Sequence, residues 1–179
     1  MIPTSEIITE RLRLRRPRPA DAELVFQHYA RDPEVSRFLA WRPHVELAET
    51  RDYITSCIDA WHGTMNRPYL IDANGQQAIG VFDLRLRSGP GAVSFGYVLA
   101  RAFWNRGYIT EALKAVVGQA LAQHDVWRVW AFCDVENLAS ARVMEKAGLE
   151  YEGTLRRWAM HPNVDPIAPR DCRCYSRVK

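Results

Sequence analysis

The fold is decided by the stretch Phe95-Gly-Tyr-Val-Leu-Ala-Arg-Ala-Phe-Trp-Asn-Arg-Gly-Tyr-Ile-Thr-Glu-Ala112. An apolar strand, Val93–Leu99, ends there, and a short loop carrying Arg106 and Gly107 follows. A helix then begins at once and runs from about Ile109 to His124, with Leu113, Val116, Val117, Ala120 and Leu121 on its buried side. The first turn of any helix leaves backbone N–H groups without partners, at the positive end of the helix dipole, so it attracts phosphate oxygens. Gly107 lets the backbone approach a ligand closely, and Arg106 can add a charge-assisted hydrogen bond. Two readings fit these residues alone: a short cradle for a diphosphate, and an ordinary turn that contains a glycine.

Outward from this stretch, Arg128–Asp134 alternates as a strand, so Val93 to Asp134 forms a strand–helix–strand unit with one parallel crossover. Asn137 to Lys146 reads as a helix, with Asn137 as N-cap, Lys146 in the last turn and Gly148 at the C-terminal cap. On the other side, Pro68–Ile71 and Ala78–Leu86 read as strands joined by a hairpin turn at Asn74-Gly75, two residues that tolerate positive φ. Gly89-Pro90-Gly91 turns the chain into Val93–Leu99. Near the N-terminus, Arg11–Arg16 alternates as a first strand with one solvated face. Helices are expected at Ala20–Arg31 and Leu47–Trp61, with a short helical turn from Pro33 to Phe38 and a loop, Leu39–Pro43, that holds Trp41. Leu149–Trp158 and Cys172–Val178 read as the last strands, separated by a proline-rich loop, His161–Pro169. The sum is one α/β (α+β) domain over residues 1–179, a mixed and mostly antiparallel sheet of about seven strands flanked by helices.

Composition narrows the function classes. At 47% hydrophobic and 25% charged residues, the chain has enough apolar material for a core and is expected to be soluble. No apolar run approaches the ~20 residues of a membrane span. Met1–Glu10 lacks the basic start and apolar centre of a secretion signal, so a cytoplasmic location is expected. The net charge of +3 is weak support for an acidic partner, and the arginines at 11, 13, 15, 16 and 18 fit a solvated strand better than a nucleic-acid surface. Cys57, Cys133, Cys172 and Cys174 are then free thiols. Cys172 and Cys174 with His161 fall short of a four-ligand metal set, so no metal is expected.

The run Trp104-Asn105-Arg106-Gly107-Tyr108-Ile109-Thr110-Glu111-Ala112 resembles the acetyl-CoA loop of the GNAT superfamily, in the branch of ribosomal-protein N-terminal acetyltransferases (RimJ/RimL-like). That loop is written Gln/Arg-x-x-Gly-x-Gly/Ala; here Trp104 replaces the leading residue and Ile109 the closing small one. The segment Asn137-Leu-Ala-Ser140, followed by Ala141 to Gly153, resembles a second signature of the same branch. The resemblance extends from about Thr9 to Val178 and implies a GNAT fold, with acetyl-CoA as co-substrate and no metal.

The resemblance also assigns roles. Arg106, Gly107, Tyr108, Ile109 and Thr110 would hold the diphosphate, and Asn137 the pantetheine arm. The thioester would lie where two strands part after Tyr97, its carbonyl polarised by N–H groups near Val98 and Leu99. Ser140 would give the leaving thiolate its proton. An uncharged primary amine, on a protein N-terminus or a small molecule, would attack directly in a ternary complex. No general base is assigned. Ser94 stands where many relatives carry Glu, Glu150 and Glu152 share one face of a strand, and His161 reads as a cap of its loop. Trp41, Arg156 and Trp158 are the candidate acceptor contacts, and arginines beside aromatics suit a carboxylate-bearing or peptide acceptor. The open edges of the sheet allow a homodimer. The contrasting reading is a non-catalytic CoA-binding or regulatory module, since the Glu is missing and the loop is altered.

Overall fold

The computed structural model describes residues 5–179. Alternating segments pair into one sheet of eight strands: β1 Glu6–Ile8, β2 Leu12–Arg15, β3 Asn66–Ala73, β4 Gln76–Arg85, β5 Ala92–Leu99, β6 Arg128–Asp134, β7 Glu150–His161 and β8 Asp165–Val178. Their spatial order is β1-β2-β3-β4-β5-β6-β8-β7, and only β5 and β6 run parallel. The mixed, mostly antiparallel sheet is thus as expected, but with eight strands instead of seven. The extra one is the short β1, which pairs with β2 from Glu6↔Arg15 to Ile8↔Arg13.

Helices cover both faces. Phe82, Leu84, Phe95 and Leu99 pack with Ala112, Leu113, Val116, Val117 and Ala120 of α4 (Tyr108–Leu121) and with Ala141 and Met144 of α5 (Leu138–Lys146). On the opposite face, Leu70, Ala78, Val81 and Val98 pack with Val25 of α1 (Asp21–Val25), Tyr29 and Ile54 of α3 (Leu47–Ala60). A strand buried on both faces has two apolar sides, which is why β3 to β5 read as continuous apolar runs. α2 is the four-residue turn Pro33–Ser36. Among the described residues no helix is long and apolar enough to cross a membrane.

Several expectations need correction. The helix expected at Ala20–Arg31 is α1 followed by a π-helical turn, Phe26–Ala30. This wider turn buries Tyr29 and brings His28 Nδ1 to 3.2 Å from the Ala78 carbonyl oxygen. Arg15 is not on a solvated face: it is 4% exposed and bonds Asp21 and Asp72. The proline-rich segment His161–Pro169 is mostly strand, because β7 and β8 continue into a tight hairpin closed by Val164 N–H donating to the His161 carbonyl. Asn74 and Gly75 do adopt φ of 50° and 78° at the β3–β4 turn.

The parallel pairing of β5 and β6 is short: Ala92↔Arg128, Val93↔Val129 and Ser94↔Trp130, and no more. The strands therefore part after Ser94, three residues before the expected Tyr97. β6 pairs with β8 along its whole length, from Arg128↔Val178 to Asp134↔Cys172. β5 stays with β4 from Ser94 to Leu99. Each arm follows its own antiparallel partner, and the twist of the two pairs opens a gap between them.

Candidate active site

At the C-terminal end of β5 the chain makes a 3-10 turn, Arg101–Phe103, and then the exposed loop 104–107. The Trp104 indole N–H donates to the Leu99 carbonyl at 2.7 Å and closes this loop against the strand. Gly107 is the N-cap of α4 in left-handed conformation, φ 78° and ψ 4°. The first helical bond is Glu111 N–H to the Gly107 carbonyl. Among the described residues no acceptor meets the N–H groups of Arg106, Gly107, Tyr108, Ile109 or Thr110.

The loop is held from outside by a residue to which sequence reasoning gave no role. Glu111, in the first turn of α4, accepts from Thr9 Oγ1 at 2.6 Å, from the Arg11 backbone N–H at 2.9 Å and from Arg11 Nε at 2.6 Å. Burial alone would raise the Glu111 pKa; the bonds from Thr9 and Arg11 outweigh it and lower it. Arg11 also donates to the Arg106 carbonyl at 3.0 Å and lies over the Tyr108 ring. The Arg106 guanidinium rests over Phe103, 5.6 Å from the ring centroid.

Beside this loop, the gap between β5 and β6 is lined by hydroxyl and thiol groups on the α4–α5 face. Asn137 caps α5 by accepting from Ser140 N–H at 3.1 Å. Ser140 Oγ is 2.7 Å from Tyr97 Oη. Burial pushes the Tyr97 phenol well above its usual range, with the Ser140 hydrogen bond only partly opposing, so it stays protonated. Cys133 is adjacent, its thiol pushed up to about 11 by burial and partly eased by Ser140. Ala100 N–H donates to the Ile79 carbonyl at 2.8 Å. Alternation along an antiparallel ladder then turns the Val98 amide toward β4, and the amides of Tyr97 and Leu99 toward the gap.

On the other face lies a cleft of about 330 Å³ whose walls include Trp41, Tyr53, Asp83, Gly96 and Tyr97. Asp83 and Gly96 are cross-strand partners, and Arg85 Nε is 3.1 Å from Asp83 Oδ2. Burial raises the Asp83 pKa, and Arg85 offsets this only in part. The tip of the β7–β8 hairpin reaches across to this region. Asn163 Nδ2 donates to the carbonyls of Ser36 and Trp41, both at 2.7 Å. Next to it, His161 Nδ1 is 2.8 Å from Asp134 Oδ2. Arg170 donates to the same carboxylate at 2.6 and 3.1 Å. Burial alone would raise the Asp134 pKa; the bonds from Arg170, the Glu136 N–H and His161 bring it down to about 2.

The residues expected at the site are therefore only partly assembled together. Asn137, Ser140 and the Leu99 amide meet at the gap, the loop residues 106–110 follow at the end of β5, and Val98 instead joins Trp41 in the cleft on the other face, its amide turned toward β4. Trp158, half exposed, packs edge-on against Phe132 at 6.0 Å, while Arg156 is exposed on β7 away from the cleft walls. His161 is not a loop cap but one half of a buried hydrogen-bonded pair with Asp134. Its proximity to Asp134 leaves no mark in either segment of sequence; only the strand order joins them. Glu152 is committed to Arg128 and Ser176, which bring its pKa down to about 2. Cys172 and Cys174 are buried, and among the described residues no group of three or more His, Cys, Asp or Glu is arranged to hold a metal.

Comparison with known proteins agrees with this geometry. The family model described as "Acetyltransferase (GNAT) domain" matches residues 11–150. An uncharacterized N-acetyltransferase, p20, of Bacillus licheniformis is 28% identical over 152 residues, covering 84% of this chain and 85% of that protein. A GNAT-family acetyltransferase from Bacillus anthracis superposes with a TM-score of 0.82 at 25% identity, over 97% of this chain and 98% of that one. The ribosomal L7/L12 α-N-protein acetyltransferase RimL, solved with coenzyme A in disulfide linkage to one of that enzyme's own cysteines, shares the fold at TM-score 0.82 and 22% identity, covering 96% of each chain. With a parted parallel strand pair, a glycine-capped helix beside it and a family match over most of its length, the chain is an acetyltransferase that belongs to the GNAT domain family.

Proposed function

We propose that this enzyme transfers acetyl from acetyl-CoA to a primary amine by direct attack in a ternary complex. The observation that carries the reading is the run of partnerless amides from Arg106 to Thr110, opening beside the gap that follows Ser94. Five amides without acceptors at a helix start, with the exposed Arg106 beside them, fit a diphosphate in charge and in unused donors. Asn137 is placed to hold the pantetheine arm as it passes α5. The Leu99 N–H, turned into the gap, is the donor for the thioester oxygen; the Val98 amide belongs to the β4 ladder and contributes no donor there.

Ser140 supplies the proton for the departing thiolate, and Tyr97, 2.7 Å behind it, replenishes that proton. Ser140→Ala is expected to lower kcat by about 30-fold, since one positioned donor is lost and Tyr97 lies one hydroxyl further away. The Kd for acetyl-CoA should change less than about 2-fold, because the diphosphate contacts are untouched. Stopped-flow release of CoA thiol, with calorimetry for binding, separates the two. A variant with unchanged kcat between pH 6 and 9 removes Ser140 from the mechanism.

The acceptor enters from the cleft side, past Trp41, with Trp158 and Arg156 on the β7 arm as outer contacts. RimL is named for acetylating the N-terminus of a ribosomal protein, and we place this acceptor in the same chemical class, an α-amine on a peptide or amino-acid-like molecule. An α-amine, with a pKa near ~8, is deprotonated more readily than a lysine near ~10. The reaction is placed in the cytoplasm, and a second copy would add at the long exposed edge strand β7. The test is a screen for CoA release with acetyl-CoA and a panel of N-terminally free peptides and amino-acid amides. Tight CoA binding with no release across the panel would reduce the protein to a binding module.

A further inference from the structure

Between them, the residues assigned so far bind the acyl donor and protonate the leaving group, but none takes the proton from the incoming amine. Ser94, on β5, carries no carboxylate, and its hydroxyl is 2.7 Å from Ser88 Oγ. Asp83 lies one strand further from the gap and is paired with Arg85.

The arm formed by β6, β7 and β8 carries a further titratable group, on a hairpin tied to the cleft wall through Asn163 and Trp41. Val129, Ala131 and Cys133 of β6 face the α4–α5 core. Alternation turns Trp130, Phe132 and Asp134 to the opposite face, the side of Trp41 and the cleft. Asp134 is fully buried and remains ionised, so its oxygens act only as acceptors. It therefore takes the Nδ1–H of His161 and fixes the ring as the tautomer whose Nε2 carries the lone pair. Nε2 has no protein partner, yet it is not sealed off. Among the described residues only Tyr29 Oη is a buried side-chain polar atom without a hydrogen bond. Nε2 therefore keeps some accessible surface although the residue as a whole is 4% exposed. The ring is held by Asp134, and the hairpin that carries it is anchored by Asn163, two residues on, to the carbonyls of Ser36 and Trp41. The charged groups around His161 are Asp134 on β6, Asp165 on β8, which is the cross-strand partner of His161, Arg170 on β8, and Glu136 beyond Arg170.

We infer that His161 is the general base of the transfer, oriented by Asp134, with Arg170 as a positioning residue for that carboxylate. This rests on the proposed function above. The amine arrives as an ammonium ion and gives one proton to His161 Nε2, directly or through one water. Its lone pair then forms the C–N bond at the thioester carbonyl carbon as the C–S bond breaks. The nitrogen's excess proton passes through solvent to the Tyr97–Ser140 pair and replaces the one that Ser140 gives to the CoA sulfur. One proton is lost to solvent per turnover, so atoms and charge balance.

His161 is needed for the first deprotonation only while the acceptor is an ammonium ion, and this separates catalysis from structural support. The experiment measures CoA release from acetyl-CoA with a peptide bearing a free N-terminal serine, or with the best amine of the panel, in the parent and in His161→Gln. At pH 6.5 the variant should lose about 10²-fold in kcat. Near pH 9.5, above the ~8 pKa of an α-amine, the deficit should shrink to under about 3-fold. Binding of acetyl-CoA by calorimetry should be unchanged, and free imidazole should restore part of the rate of His161→Ala. A loss equal at every pH, or no loss, overturns the inference while leaving the proposed function intact. A parent protein that binds CoA but acetylates nothing overturns both. Should the variants not fold, ¹⁵N NMR of the parent decides: neutral His161 must show protonated Nδ1 and bare Nε2, and the reverse tautomer excludes the role.

Discussion

Gly107→Val should bind acetyl-CoA about 10³-fold more weakly than the parent. Gly107 is at φ 78°, where an ordinary L-residue costs ~1–2 kcal/mol and a β-branched one more. Relief of that strain rotates the peptides on either side of it, which carry the amides of Gly107 and Tyr108. Hydrogen bonds to charged groups contribute ~1.5–3 kcal/mol each, and loss of two misaligned donors gives the stated factor. The new side chain also extends from a Cβ that would lie 3.5 Å from Arg11 Nη2, the guanidinium that steadies the Arg106 carbonyl. Calorimetry with acetyl-CoA checks the affinity, and far-UV circular dichroism checks that α4 persists. If affinity stays within 10-fold of the parent, the diphosphate is held elsewhere.

Arg15→Ala should destabilise the fold by about 3–5 kcal/mol, the range for removing one partner from a buried ionic cluster. Arg15 Nε and Nη2 donate to Asp72 at 2.6 and 3.2 Å, and Nη1 and Nη2 to Asp21 at 2.8 and 2.7 Å. Arg15 and Asp21 are each under 5% exposed. The hydrogen bonds to both carboxylates raise the guanidinium pKa further above its usual value despite the opposing effect of burial, so its charge is permanent. Without Arg15, the buried Asp21 keeps only the Arg18 N–H and the partly buried Asp72 only the Ala78 N–H. The cluster joins β2, β3 and the start of α1, so its loss loosens the face that carries α3 and the cleft. Urea unfolding at pH 7 measures the effect. Replacing the whole cluster, as Arg15→Met with Asp21→Asn and Asp72→Asn, should recover most of it, because no uncompensated charge is left. A single variant within 1 kcal/mol of the parent contradicts the ionic account.

Much of the architecture was readable before any coordinates. The hairpin at Asn74-Gly75, the glycine-capped start of α4 and the Asn137 cap of α5 each reside in a few consecutive residues whose backbone preferences are local. The segments misread were those that tertiary contacts override. The π-turn at Phe26–Ala30 has no local signal, because it exists to seat Tyr29 and His28 against β4. Pro162, Pro166 and Pro169 suggested a loop, yet β7 is an edge strand, and β8 near the hairpin tip accommodates prolines where a central strand would not. The alternation of Arg11–Arg16 points Arg15 to solvent, and only the docking of β2 beside β3 and α1 brings Asp72 and Asp21 to cover it.

What the sequence by itself determined was the order of elements, the site of the anion-binding helix start and, through resemblance, the family. What only the tertiary structure decided was which side chains from distant segments meet around the site. Tyr97 meets Ser140 from 43 residues away, and His161 meets Asp134 from 27. Such pairings depend on strand order and register, and a slip of one residue would send every one of these side chains to the opposite face of the sheet. Chemistry carried by consecutive residues is therefore legible in one dimension; chemistry shared between strands comes into being only when the sheet closes.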